Sequence, residues 1–138
     1  VPVICKTSID LLADIKQSYE YDSTVNEEEV LTAYKTADLL VIDDLGKERA
    51  TEWSVPILYR IINDRYENML PTIITTNYNT DSLIEKLTVS GDRETAEAII
   101  SRFKGSASCV MLLYISSTFA FRSTAQDREK SLPSAINE

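Results

Sequence analysis

Four apolar residues in a row, Leu39-Leu40-Val41-Ile42, end abruptly on two acids, Asp43 and Asp44. An uninterrupted apolar run of this length reads as a strand with both faces covered. Such strands belong mostly to parallel sheets with helices packed on them. Further runs of this kind recur along the chain: Val1 to Cys5 (VPVIC), Thr72 to Thr76 (TIITT) and Ser108 to Ile115 (SCVMLLYI). Between them the apolar residues recur at three- and four-residue steps, the period of a helix.

The first helix is opened by Thr7 with Asp10 in a capping pattern. Its expected apolar face is Ile9, Leu12, Ile15 and Tyr19. Asp22 to Asn26 is a polar break. Glu27 to Glu29 place acids at the positive end of a second helix, with Val30, Leu31 and Tyr34 on one side. A long helix is expected from about Ser54 to Leu70, with Val55, Leu58, Ile62, Tyr66 and Met69 as its stripe. Pro56 fits its first turn and Pro71 ends it. A short helix covers Asp81 to Leu87, Ser90 to Arg93 is a loop, and Glu94 to Lys104 is a further helix. The alternation predicts an α/β domain: a parallel sheet with helices on both faces.

Composition narrows the chemistry. The 138 residues fit one domain. Histidine is absent, which excludes Ser-His-Asp and Cys-His catalysis and any His-ligated metal. Cys5 and Cys109 both sit in apolar runs and read as reduced core thiols of a cytoplasmic protein. No secretory signal or membrane span is legible. The net charge of −8 argues against a general nucleic-acid coat. Acids dominate residues 1–50, 11 against 5 bases, whereas residues 101–138 carry 3 acids and 5 bases. Contact with phosphate must therefore come from local groups. After Arg122 periodicity fades, so residues 123–138 are expected to form a disordered tail.

In parallel α/β sheets the chemistry sits at the carboxyl ends of the strands. Asp43, Asp44 and Asn77 fall at such ends. Apolar strand followed by two acids is the shape of a Walker B motif. In it the first acid holds Mg²⁺ through water and the second polarises the water that attacks a γ-phosphate. The same acids serve equally well to start a turn. Asn77, one strand and one helix later, could orient that water or the phosphate, or simply open a turn. Arg102 closes the last helix and could reach a nucleotide on a neighbouring subunit, or form a surface salt bridge. Lys16 and Tyr19 are expected to share a helix face at three-residue spacing. A cation beside an aromatic suits stacked single-stranded nucleic acid, and a snorkelling lysine beside a core tyrosine has the same spacing.

The run Asp38-Leu39-Leu40-Val41-Ile42-Asp43-Asp44-Leu45-Gly46 resembles the Walker B segment of the bacterial DnaC/DnaI helicase loaders. These are AAA+ ATPases related to the IstB transposition helpers. The resemblance extends through residues 9–16, Tyr59-Arg60-Ile61-Ile62-Asn63-Asp64-Arg65-Tyr66, Thr75-Thr76-Asn77-Tyr78-Asn79 and Ile100-Ser101-Arg102-Phe103. It spans about residues 1–122 in the same order. It implies a P-loop NTPase fold, with Asp43 as the magnesium acid and Asp44 as the catalytic acid. Asn77 becomes sensor 1, Arg102 the arginine finger, and Lys16 and Tyr19 positions facing single-stranded DNA. Arg122 lies where a sensor-2-like arginine is sought. The implied cofactors are ATP and Mg²⁺. The implied partners are a replicative hexameric helicase, single-stranded DNA and further AAA+ subunits. Asp44 departs from the glutamate frequent at its position.

A phosphate loop of the form G-x-x-x-x-G-K-[ST] is missing, since none of Gly46, Gly91 and Gly105 precedes Lys-Ser or Lys-Thr. The chain is therefore expected to be an AAA+ core fragment, residues 1–122, lacking the first strand, the loop and its helix. Such a fragment would bind ATP weakly. Two further classes stay open. A phospho-acceptor receiver domain would need an aspartate at the end of a later strand, where Thr75-Thr76-Asn77 stands. A catalytically silent binding module would use the same acids structurally.

Overall fold

The computed structural model describes residues 2–20, 26–104 and 109–113. Four parallel strands form one sheet in the order β1 (Val3–Thr7), β2 (Leu39–Asp43), β3 (Thr72–Thr76) and β4 (Cys109–Leu113). Helices α1 (Ser8–Gln17) and α2 (Glu27–Thr36) connect β1 to β2. Helix α3 (Ser54–Glu67) connects β2 to β3, and α4 (Thr80–Leu87) and α5 (Arg93–Lys104) lie between β3 and β4. The parallel sheet with helices is the one expected; among the described residues the helices pack on one face of it. The tail from residue 123, Arg122, the break at residues 22–25 and the side chain of Cys109 lie outside the described residues or side chains.

Strand order equal to chain order fixes where the helices go. Each crossover between parallel strands is right-handed, so successive steps in one direction lay their helices on the same face. Leu40, Ile42 and Ile74 are fully buried on that face. In register with them stand Thr72 opposite Leu40 and Ile74 opposite Ile42. Leu11, Leu12 and Ile15 of α1, Leu31 and Tyr34 of α2, Leu58 and Ile61 of α3, Leu83 and Leu87 of α4 and Ile99 of α5 complete one continuous core. On the other face Leu39, Val41 and Ile73 are half-buried, and Val3 and Cys5 are exposed.

Local chemistry sets the boundaries. The Thr7 side chain caps α1 by accepting the Asp10 N–H. Asn26 caps α2 through the Glu29 N–H, and Asn79 caps α4 through the Ser82 N–H. At α3 the cap is reciprocal: Thr51 Oγ1 accepts the Ser54 N–H, and Ser54 Oγ accepts the Thr51 N–H.

Several expectations are corrected. The first strand is not buried and Cys5 is not a core thiol: β1 is an edge strand and Cys5 is exposed. In α1 the buried face runs through Leu11, Leu12 and Ile15, while Ile9 is 45% exposed. The helix ends at Gln17, so Tyr19 stands in the turn beyond it and not on a helix face with Lys16. In α3 the stripe does not continue through Tyr66 and Met69, which are 40% and 77% exposed. The helix stops at Glu67 and Met69 adopts a left-handed φ of 54° in the following turn. Val55, Leu58 and Ile62 are buried as expected, and Ile57, Ile61 and Arg65 are buried beside them.

Arg65, 1% exposed, is the largest fully buried side chain. Its Nε donates to Thr72 Oγ1 at 2.8 Å, and Nη1 donates to the carbonyls of Tyr34 and Ala37 at 2.9 and 2.8 Å. Nη2 donates to the Pro71 carbonyl at 2.7 Å. The planar fork thereby ties the end of α2 to the entry of β3 through backbone carbonyls, that of Pro71 also accepting the Leu40 N–H at 3.3 Å.

Candidate functional site

Asp43 is the last residue of β2, and the end of β3 holds it there. The Thr75 hydroxyl donates to Asp43 Oδ1. The Asp44 N–H donates to Thr75 Oγ1 at 3.0 Å, and the Leu45 N–H to the Thr75 carbonyl at 2.8 Å. The Thr76 hydroxyl then donates to the Leu45 carbonyl at 2.6 Å. Four bonds between two adjacent strand ends make this edge well defined. Asp43 Oδ2 receives no hydrogen bond from the described residues and is free to face water or a hydrated cation.

The turn after Asp43 is unusual in its backbone. Asp44 has a φ of 56°, in the left-handed region where aspartate and asparagine are tolerated far better than other residues with a side chain. That accounts physically for a short acid at this position. Gly46 follows with a φ of 94°, and a Cβ there would lie 2.9 Å from Leu83 Cδ1 and from Tyr78 Cδ2. Glycine is required on both counts. Beneath the turn, the buried Ser8 hydroxyl sits 3.0 Å from the Asp44 carbonyl and 2.5 Å from Glu48 Oε2.

Asn77 is exposed and immediately follows β3. Because β2 and β3 are parallel neighbours, Asn77 leaves by the same rim as Asp43 and Asp44. It stands two residues beyond Thr75, in the bend that follows the strand. The structure therefore gathers Asp43, Asp44 and Asn77 at one edge. Thr75 and Glu48 belong to this edge too and were not anticipated. Thr75 follows only from the register, which sets Ile42 opposite Ile74 and so carries Asp43 to the level of Thr75, one residue before the end of β3. Glu48 leaves no comparable signal.

Arg102 is not gathered there. It lies in the last turn of α5, which leads into the start of β4, so it sits toward the amino ends of the strands. Its guanidinium rests against α3, 5.8 Å from the Tyr59 ring centre and 5.5 Å from that of Tyr66. Lys16 is exposed in the last turn of α1. Tyr19, 48% exposed, packs edge-on against Trp53 with ring centres 5.9 Å apart. Its hydroxyl accepts from Trp53 Nε1 at 3.0 Å and donates to Glu27 Oε1 at 2.6 Å. Partial burial and the neighbouring Glu27 raise the Tyr19 pKa above its ordinary value.

A further ionic cluster joins β1, α1 and α2. Asp14 accepts from the Tyr34 hydroxyl at 2.7 Å and pairs with Lys6 at 2.9 Å. Burial pushes the Asp14 carboxyl up, but Tyr34 and Lys6 outweigh it and hold the pKa below its ordinary value. Tyr34 is pushed up in turn, by burial and by Asp14.

Chemically, the rim offers hard oxygen donors and an amide on a rigid edge. Among the described residues no three His, Cys, Asp or Glu side chains are arranged to hold a metal by themselves. One carboxylate oxygen with an open side fits a Mg²⁺ that keeps most of its waters and leans on phosphate oxygens.

Comparison with known proteins gives consistent results. The family model described as "IstB-like ATP binding protein" matches residues 3–116. The phage-like element PBSX protein XkdC of Bacillus subtilis is 33% identical over 89 residues, covering 61% of this chain and 32% of XkdC. The replicative helicase loader DnaI of the same organism is 30% identical over 92 residues, covering 64% and 29%. A crystal structure of the DnaC helicase loader superposes with a TM-score of 0.59 at 25% identity, covering 82% of this chain and 60% of that one. The chain thus spans about a third of the length of the curated relatives it matches.

Proposed function

Since the chain belongs to the IstB-like ATP binding protein family, we propose that it is the core of an AAA+ ATPase that loads a replicative helicase onto single-stranded DNA. The observation that carries the reading is the rim: Asp43 tied to Thr75 at the end of a buried parallel strand, with Asp44 and Asn77 beside it. Bound Mg²⁺ would neutralise charge on the triphosphate. Asp43 would hold that ion. Asp44 takes a hydrogen bond from the attacking water and draws its proton. Asn77 fixes the position of that water or of the γ-phosphate. Arg102 serves the rim of a neighbouring copy, and Lys16 with Tyr19 faces the DNA strand. No phosphate loop of the form that grips ATP occurs in these residues, so the ATP affinity of this chain is weak.

Two measurements test this. Titration of the 138-residue chain with Mg-ATP should show no micromolar binding. In the protein that carries this chain together with a phosphate loop, Asp44→Asn should reduce ATP turnover by about 100-fold or more, with nucleotide binding retained. Unchanged turnover would remove the catalytic assignment. The family description itself favours a second reading, a transposition helper of the IstB type using the same rim. Transfer of a hexameric helicase onto single-stranded DNA, dependent on Asp44, separates the two.

A further inference from the structure

Arg102 is a cation held by neutral groups. Its Nε donates to Asn63 Oδ1 at 3.1 Å, Nη1 to Ser101 Oγ at 3.3 Å and Nη2 to the Tyr59 hydroxyl at 3.5 Å. The rings of Tyr59 and Tyr66 flank the guanidinium. No carboxylate among the described residues pairs with it, although α3 carries two acids close by. Asp64 is taken up by Lys35 at 2.9 Å. Glu67 accepts from Asn63 Nδ2 at 3.2 Å, which turns the Asn63 carbonyl oxygen toward Arg102. A guanidinium serving only to join two helices gains more from a carboxylate, which binds it bidentately and cancels its charge. Here the nearest acid is one amide removed. Orientation is fixed while the charge stays available to an incoming anion.

We propose that the outer face of α3, Tyr59, Asn63 and Tyr66, is a positioning cradle that aims Arg102 at the triphosphate bound to a second copy of this chain. The cradle explains why Tyr66, at a helical position that patterning would bury, is left 40% exposed. It also explains why the partner must be another copy. Arg102 sits toward the amino ends of the strands and Asp43 at a carboxyl end, so one chain cannot bring them together. The inference rests on the proposed ATPase function and adds the residues that set the geometry of the arginine.

The test uses the protein that carries this chain with its phosphate loop. ATP turnover, ATP affinity and thermal midpoint are measured for Arg102→Ala, Asn63→Ala, Tyr66→Leu and Tyr66→Phe. Misplacing a charge-stabilising group by about 1 Å costs on the order of 100-fold in rate. Asn63→Ala and Tyr66→Leu should therefore lower kcat by about 10- to 100-fold, with ATP affinity within about twofold of the parent. Tyr66→Phe keeps the ring and should restore kcat. Turnover lost in Arg102→Ala but kept in both cradle variants overturns the cradle and leaves the ATPase reading standing. Turnover kept in Arg102→Ala overturns the role of Arg102 itself. A fall in thermal midpoint that matches the fall in kcat, without rescue by Tyr66→Phe, marks a purely structural contact and also overturns the proposal.

Discussion

The Thr75 hydroxyl and the Asp43 carboxylate meet across two neighbouring parallel strands, and the same Thr75 oxygen accepts the Asp44 N–H. One threonine thus sets the direction of one acid side chain and the backbone of the next. Thr75→Val removes donor and acceptor with little change in volume. It should cost about 1–3 kcal/mol in urea unfolding, because the Asp44 N–H loses its acceptor, with Thr75→Ser close to the parent. A valine variant as stable as the parent would show that the contact does not hold the edge together.

Arg65 makes a stronger prediction. Arg65→Leu leaves the carbonyls of Tyr34, Ala37 and Pro71 without these donors in a buried site. A loss of about 3–5 kcal/mol, read from the denaturant midpoint at constant slope, is expected. A loss below about 1 kcal/mol would mean that water reaches these carbonyls.

Gly46→Ala tests the turn. The added methyl meets Leu83 and Tyr78 at 2.9 Å and must adopt a φ of 94°. Strain of about 1–3 kcal/mol is expected. Gly91→Ala is the control, since its φ is also positive, at 78°, but nothing lies within 4 Å of the added atom. The difference between the two thermal midpoints isolates the steric part.

Asp14 sets a pH dependence. Its pKa in the folded chain is depressed below 3.8, so the folded state binds this proton less readily than the unfolded state. The stabilisation is present above the ordinary value and is lost as pH falls through the folded one. Asp14→Asn should therefore flatten the acid limb of stability measured in urea between about pH 5 and about pH 2. Identical slopes for variant and parent would contradict the pairing with Tyr34 and Lys6.

Much of the fold was legible because the apolar runs at residues 39–42 and 72–76 have no other comfortable home than a parallel sheet. The cap at Thr7 and the acids opening α2 are local signals, and local signals survive into the structure. Tyr66 and Met69 misled for a physical reason: spacing alone does not say where a helix stops, and a left-handed Met69 ends α3 early. Cys5 misled because an apolar residue on an edge strand looks the same in sequence as one in a central strand. At the rim, Asp43, Asp44 and Asn77 could be placed by topology. Thr75 could not be seen without register, Glu48 in the loop after β2 leaves no pattern at all, and Arg65 was hidden because an arginine in an apolar stripe reads as a break.

The central claim is a divided site, with the acids and amide on one copy and the arginine on another. Mixing Asp44→Asn subunits with Arg102→Ala subunits measures it directly. Each variant alone should turn over ATP at background. Their equal mixture should recover about a quarter of the parental rate, because head-to-tail pairing at random restores about that share of complete sites. A mixture as inactive as its components would contradict the account.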